Sequence, residues 1–500
     1  MQALRVRFGS LESDLSASLR ELRRDPKRVA DSREIVERAL VGGQAYYGVN
    51  TGFGALAGTR IPDGQLEQLQ RNLILSHAVG VGAPVPREIS RLMLRLKIHS
   101  LGLGYSGVSM PTFQRLLYLE EHDLIPVIPS RGSVGASGDL APLAHMSLPL
   151  IGFGSFWGDS GARAARDVLM EHSLEPLVLR AKDGLSLING TQLMSAYGAW
   201  ILERSLNLEK LADLIAATSL EALQGSIRPF DARIQAVRPH SGPSVVAKNV
   251  RELLIDSEIL ESHRHCGKVQ DPYCLRCVPQ VHGASRDALD HCRSILETEI
   301  NSATDNPLVF EDGDIISGGN FHGQPLALAL DYAALALSEL ASISERRTYL
   351  LLEGHDGLPT LLMAETGINS GFMIPQYTAA ALVSENKVLS HPASVDSIPT
   401  SLGQEDHVSM GSISALKLLT ILENVEHVLA IELLTAAQAL DYRLPLRPGR
   451  GVLAAHAHVR KRVPHREADY FYGDDIATCL GIIRSDDLLD VVTGETVALR

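Results

Sequence analysis

The sequence predicts a mainly α-helical protein, an elongated bundle of long helices with a smaller N-terminal globular part and glycine-rich loops around a site. Three observations carry this expectation. Leu, Ala and Glu are abundant while aromatic residues make up 5% of the chain, which favours helix over strand. Three long segments space their apolar residues as a buried helix does. Between them lie loops of Gly and uncharged polar residues, which sit badly in a core and well around a site.

Each element follows from local signals. Leu193 to Leu223 carries Leu193, Tyr197, Trp200, Ile201, Leu208, Leu211 and Ile215, follows Gly190 and stops at Gly225. Pro325 to Leu352 opens with a Pro suited to a first turn and ends before Gly354. Its first half is apolar all round and is expected to be buried. Ser409 to Tyr442 stops before Pro445. Three such helices suggest a bundle with apolar surface left over for subunit contacts. The expected division places the N-terminal globular part at residues 1–108, carrying the Tyr47 loop. The helical body is residues 109–500, with a softer boundary near Gly104–Pro111.

The chain has 500 residues, and its 46 Lys+Arg against 59 Asp+Glu give a net charge of −13. With 45% hydrophobic and 21% charged residues, this is a folded composition. The acidic balance argues against nucleic acid or an anionic membrane as a partner, because no net attraction to phosphate exists. The start of the chain lacks the apolar core of a secretory signal. The least charged stretches, Leu140–Gly158 and Thr366–Ser384, contain Pro, Gly and polar residues unlike a spanning helix. Five cysteines, an odd number, fit free thiols in a reducing cytoplasm.

Several short motifs are weighed and set aside. Gly102-Leu-Gly-Tyr-Ser-Gly107 has the spacing of a dinucleotide loop but follows a helical pattern, so a helix-ending turn is expected. Ser384-Glu-Asn-Lys387 lacks the partner motif of acyl-transferring serine enzymes. Cys274-Leu-Arg-Cys277, with His263, His265 and Cys266 upstream, has no second cysteine pair to complete a four-ligand set, and no metal is expected.

Gly132-Ser-Val-Gly-Ala-Ser-Gly138 permits unusual chemistry. In a tight loop the Gly138 nitrogen can reach the Ala136 carbonyl carbon, because Gly has no Cβ to obstruct the approach. Loss of one water closes a five-membered imidazolone, and loss of the Ser137 hydroxyl as a second water leaves an exocyclic methylene. The product is an electrophile on a chain that otherwise offers nucleophiles.

This run resembles the signature of the histidine/phenylalanine ammonia-lyase family. Tyr47-Gly-Val-Asn-Thr-Gly-Phe-Gly, Asn189-Gly-Thr-Gln, Val269-Gln-Asp-Pro-Tyr-Cys-Leu-Arg276, Thr304-Asp-Asn-Pro-Leu and Gly318-Gly-Asn-Phe-His resemble family motifs in family order. They span about Tyr47 to Met410, most of the chain. The resemblance implies a prosthetic group, 4-methylidene-imidazol-5-one (MIO), formed autocatalytically from Ala136, Ser137 and Gly138, with no external cofactor. It also implies elimination of ammonia from an aromatic L-amino acid, and a homotetramer in which three subunits share each site. Tyr47 then takes the β-proton, which requires a phenol tuned below its ordinary pKa of about 10. Arg276 grips the substrate carboxylate in bidentate fashion. Asn189, Gln270 and Tyr273 line the prosthetic group and the carboxylate end, and Phe321 forms an aromatic wall. Cys274 stands where histidine-directed members often carry Ser or Thr.

Two positions bear on the substrate. Ser76-His77 resembles the selectivity pair of the histidine-directed members, although some tyrosine aminomutases share it. Gln404-Glu-Asp-His407 resembles a histidine-directed motif, with Glu405 where phenylalanine and tyrosine enzymes lack an acid. A carboxylate at Glu405 can accept the imidazole N–H, whereas facing a phenyl ring it would be a costly unpaired charge. Its plainer reading is an acid at the start of the following helix. The resemblance therefore implies L-histidine as substrate and trans-urocanate as product. A tyrosine ammonia-lyase or tyrosine 2,3-aminomutase is the alternative.

Overall fold

The computed structural model describes residues 4–42, 45–52, 54, 59–496 and 498–500. Phe53, inside the Tyr47 motif, lies outside them. The chain is predominantly helical. Its β-structure in the described residues is three two-stranded antiparallel pairs, such as Val81–Pro84 with Pro129–Arg131, and a few isolated bridges.

Seven helices matter below: α1 (Arg87–Gly102), α2 (Leu140–Ser147), α3 (Gln192–Ala222), α4 (Tyr273–Arg276), α5 (Val278–Ile300), α6 (Gln324–Leu352) and α7 (Gly411–Asp441). The three long segments expected from sequence are α3, α6 and α7. The residue run Gly102 to Gly107 is the expected helix-ending turn: α1 stops at Gly102, and Gly104 follows at φ +85°. Helix α5 has a buried face at helical spacing that includes His282, Ser285 and Arg286 beside Leu289. That polar content hid it from a reading based on apolar periodicity.

The chain folds as two compact units. The first comprises Met1–Glu203, Cys292–Asp331 and Pro392–Leu416, and the second Arg204–His291, Tyr332–His391 and Lys417–Arg500. The expected division at residues 108/109 therefore falls inside the first unit. The core of the first unit includes Ile89, Met93 and Leu96 of α1, and the core of the second includes Leu211 and Ile215 of α3 with Val425 and Leu429 of α7.

One expectation needs correcting. Helix α6 is not buried all round: Leu328, Tyr332 and Leu335 are 54%, 46% and 45% exposed. Their spacing puts them on one stripe of the helix, which this chain alone leaves uncovered. The helix is long and apolar enough to cross a membrane, but 67% of its most apolar window is buried within the fold.

Candidate active site

The site begins with the loop from Gly132 to Gly138, which is fastened to itself and to its surroundings. Ser133 Oγ accepts the Gly135 amide at 3.1 Å and donates to the Gly138 carbonyl at 3.2 Å. The Met410 amide donates to the Val134 carbonyl at 3.0 Å, and Ser412 Oγ to the Ser133 carbonyl at 2.7 Å. Ser137 and Gly138 have φ of +49° and +77°. Two successive left-handed residues make a tight turn, and for Ser137 that conformation is strained. A Cβ on residue 138 would collide with the Gly190 carbonyl, so glycine is required there.

Gly190 is the wall against which the turn closes. It forms a parallel bridge with Gly138 and accepts the Asp139 amide at 2.7 Å, and its own amide donates to the Ser137 carbonyl at 3.4 Å. The Asp139 carboxylate accepts the Leu193 and Met194 amides at 2.9 and 3.1 Å, capping the start of α3. Burial pushes this carboxyl up to about 7, against the pull of those amides and of Lys97.

A cavity of about 370 Å³ opens beside this turn and is lined by Tyr47, Ala136, Ser137, Asn189, Phe321 and Glu405. Six of the expected site residues thus come together, with Gly138 in the adjoining turn. The Gly54 amide donates to the Tyr47 hydroxyl oxygen at 3.2 Å. Asn189 is 2% exposed, and its Nδ2 donates to Asp305 Oδ1 at 3.2 Å and to the Asn306 carbonyl at 3.0 Å.

Glu405 is half-buried. Thr400 Oγ1 donates to its Oε2 at 2.8 Å, and the two residues exchange backbone hydrogen bonds at 2.9 and 3.3 Å. It precedes α7 by a loop, so it is not an acid in a helix's first turn. His77 is the last residue of a helix that begins at Leu66. Burial lowers its pKa, while a Leu73 backbone hydrogen bond and the nearby Glu405 charge pull it up. His77 does not itself line the cavity, but it lies within electrostatic reach of Glu405.

Sequence reasoning did not assign roles to Asn306, Gly318, His322, Gln404 and His407, which also line the cavity. The signal was present, since all five lie inside motifs already singled out. It wholly missed two buried lysines beneath the site. Lys97 Nζ donates to the Asn189 carbonyl at 2.7 Å, and Lys182 Nζ pairs with Asp305 at 2.7 Å.

Gln270, Tyr273 and Arg276 belong to the second unit and do not line this cavity. Gln270 lines a separate depression of about 530 Å³. Tyr273 and Arg276 are the ends of the single-turn helix α4. Arg276 Nε donates to the Asp271 carbonyl at 3.0 Å, and its guanidinium lies over the Tyr273 ring, 4.3 Å from the centroid. Tyr273 is 70% exposed. Burial raises the pKa of the Cys274 thiol between them, keeping it protonated and less nucleophilic. In the described residues no group of three or more His, Cys, Asp or Glu is placed to hold a metal ion.

A family model described as aromatic amino acid lyase matches residues 16–461. A histidine ammonia-lyase of Myxococcus xanthus is 52% identical over 94% of this chain and 93% of its own length. The crystal structure of histidine ammonia-lyase from Trypanosoma cruzi superposes with a TM-score of 0.87 at 43% identity, covering 94% of this chain and 89% of that one. Tyrosine aminomutase from Streptomyces globisporus superposes with a TM-score of 0.90 at 36% identity, covering 95% and 94%. The chain belongs to the aromatic amino acid lyase family.

Proposed function

We propose that this protein is a histidine ammonia-lyase, a carbon–nitrogen lyase that converts L-histidine to trans-urocanate and ammonia. The observation that carries the substrate is Glu405, a carboxylate in the cavity wall held by Thr400. An imidazole N–H can satisfy it, and a phenyl or phenol ring offers no N–H there. The identity to histidine ammonia-lyases over nearly the whole chain points the same way.

Ala136, Ser137 and Gly138 fit the MIO group. Their left-handed turn, the glycine required at 138 and the bracing by Gly190 are what ring closure between Gly138 N and the Ala136 carbonyl needs. The cyclised tripeptide supplies the electrophile that elimination of ammonia otherwise lacks. Around it, Tyr47 takes the β-proton, and the Gly54 amide steadies the charge left on the phenol oxygen. Glu405 orients the imidazole, and His77 tunes the same end of the cavity. Asn189 and Phe321 hold the substrate against the turn.

The carboxylate grip comes from Gln270, Tyr273 and Arg276 of other copies in a homotetramer. The exposure of Tyr273 and the bare stripe on α6 support this arrangement. No external cofactor or metal, nucleic acid or membrane enters the proposal, and the enzyme works in the cytoplasm.

The deciding experiment incubates the purified protein separately with histidine, tyrosine and phenylalanine and follows the near-UV absorbance of each conjugated acid. Growth with histidine is expected. Growth with tyrosine but not histidine overturns the proposal in favour of the tyrosine enzymes. Ser137→Ala removes the methylene and nearly all activity while leaving the fold intact, as circular dichroism will report.

A further inference from the structure

Lys97 is an unusual residue to find where it is. It sits on α1, 1% exposed, among Leu94, Leu96 and Ile98. Removing an ammonium group from water costs several kcal/mol, and a fold rarely retains one without a use for it. Asp305 and Asp139 lie near enough to favour its charge, although burial still draws its pKa down to about 8. Its Nζ is directed at a backbone oxygen, the carbonyl of Asn189.

That carbonyl lies one residue before the wall of the catalytic turn. Asn189 is held at four points: its amide donates to the Leu185 carbonyl at 2.9 Å, its Nδ2 reaches Asp305 and Asn306, and its oxygen receives Lys97. Gly190 follows directly, and every contact it makes with the turn is a backbone one, to Ser137, Gly138 and Asp139. Glycine brings no side chain to fix its own position. Its placement is set by its neighbours: Asn189 before it, and after it Thr191, whose Oγ1 donates to Glu299 at 2.6 Å.

Ring closure demands such placement. The Gly138 nitrogen must bond to the Ala136 carbonyl carbon at much less than contact distance. The Ala136 oxygen then departs as water with the hydrogens of the Gly138 and Ser137 nitrogens. The Ser137 hydroxyl leaves as a second water with the hydrogen on its Cα. An unbraced turn relaxes instead of closing, because compression of this kind is lost when the supporting wall moves.

We infer that Lys97 is a positioning residue for formation of the prosthetic group, its buried ammonium locking Asn189–Gly190 as the wall against which Ala136-Ser137-Gly138 cyclises. The inference rests on the reading that the tripeptide cyclises, and the test separates the two. Intact-mass analysis of the full-length wild-type protein is expected to show a chain lighter by two waters. A wild-type chain of unmodified mass defeats the cyclisation reading and this inference with it.

With the wild type dehydrated, Lys97→Met should be purified mostly at unmodified or singly dehydrated mass, its cyclised fraction at least tenfold lower. Arg33→Met is the control. Arg33 is another buried cation of the same unit that donates to backbone carbonyls, those of Gly107 and Ala181 at 3.2 and 2.7 Å, none of them in the turn or its wall. It should lower the melting temperature and still cyclise. Complete double dehydration of Lys97→Met overturns the inference, and so does an equal loss in Arg33→Met. Should Lys97→Met prove insoluble, Lys97→Gln keeps a donor without the charge. Its dehydration, followed by mass over hours, should be slower than wild type, and a wild-type rate overturns the proposal.

Discussion

The Arg347 cluster of the second unit and the surroundings of the catalytic turn in the first use buried charge in different ways. In the cluster of the second unit, charges are paired with one another. Arg347 and Glu432, both fully buried, meet at 2.6 Å, and Arg347 also points a nitrogen at His282 Nε2 from 3.4 Å. Arginine can only donate, so Nε2 accepts and the Nδ1 proton of a neutral His282 goes to Asp213 at 2.8 Å. Burial lowers the His282 pKa, in keeping with that neutral form. Arg286 completes the set with Glu209 and Asp213 at 3.2 and 3.4 Å. Beside the catalytic turn of the first unit, Lys182 and Asp305 are still a pair, but Lys97 faces a carbonyl and Asp139 faces two amides. Paired charge knits helices together, whereas charge set against backbone decides where a loop runs.

The largest effect separating these uses should come from Arg347→Met. It leaves Glu432 buried with Ser219 Oγ at 2.6 Å and no cation in its place. Loss of one partner from a buried pair costs about 3–5 kcal/mol. We expect a markedly lower denaturation midpoint, with the protein still lighter by two waters. Adding Glu432→Leu should recover much of the loss, since an apolar pair needs no compensation. An unchanged midpoint in the single variant would show that water solvates this network.

The same contrast explains what the sequence disclosed. Helices α3, α6 and α7 were legible because their buried faces are apolar. Helix α5 was not, because His282 and Arg286 occupy its inner face and read as surface residues. The cavity was legible through its motifs, which brought Tyr47, Asn189, Phe321 and Glu405 to one place. Lys97 was not, since a lone lysine in a helical pattern is ordinarily solvated. The exposure of Leu328 and Tyr332 was equally hidden, because periodicity tells which face is apolar but not what covers it.

A smaller effect belongs to Glu405, where the charge faces a ligand. Glu405→Gln keeps the shape and removes the charge. A hydrogen bond to a charged group contributes about 1.5–3 kcal/mol, so kcat/KM for histidine should fall by roughly one to two orders of magnitude. Residual turnover of tyrosine or phenylalanine should not fall in parallel, and paired with His77→Phe the change should tilt preference toward phenylalanine. Unchanged kcat/KM for histidine would make Glu405 a structural acid and leave Ser76-His77 as the determinant of substrate.

The finest test of the comparison is Thr400, whose hydroxyl sets the direction of that carboxylate. The backbone exchange between Thr400 and Glu405 survives any side-chain change, so the loop should keep its course in Thr400→Val. Only the 2.8 Å bond from Oγ1 to Oε2 is lost, and valine fills the same volume. Both residues are half-exposed, so water can replace part of that bond, and the cost should stay near about 0.5–1.5 kcal/mol. That predicts roughly a two- to tenfold drop in kcat/KM for histidine with little change in melting temperature. Thr400→Ser restores the hydroxyl and should restore the rate. A valine variant as fast as the serine variant would mean that Glu405 finds its own orientation. A serine variant as slow as valine would trace the effect to packing of the methyl group.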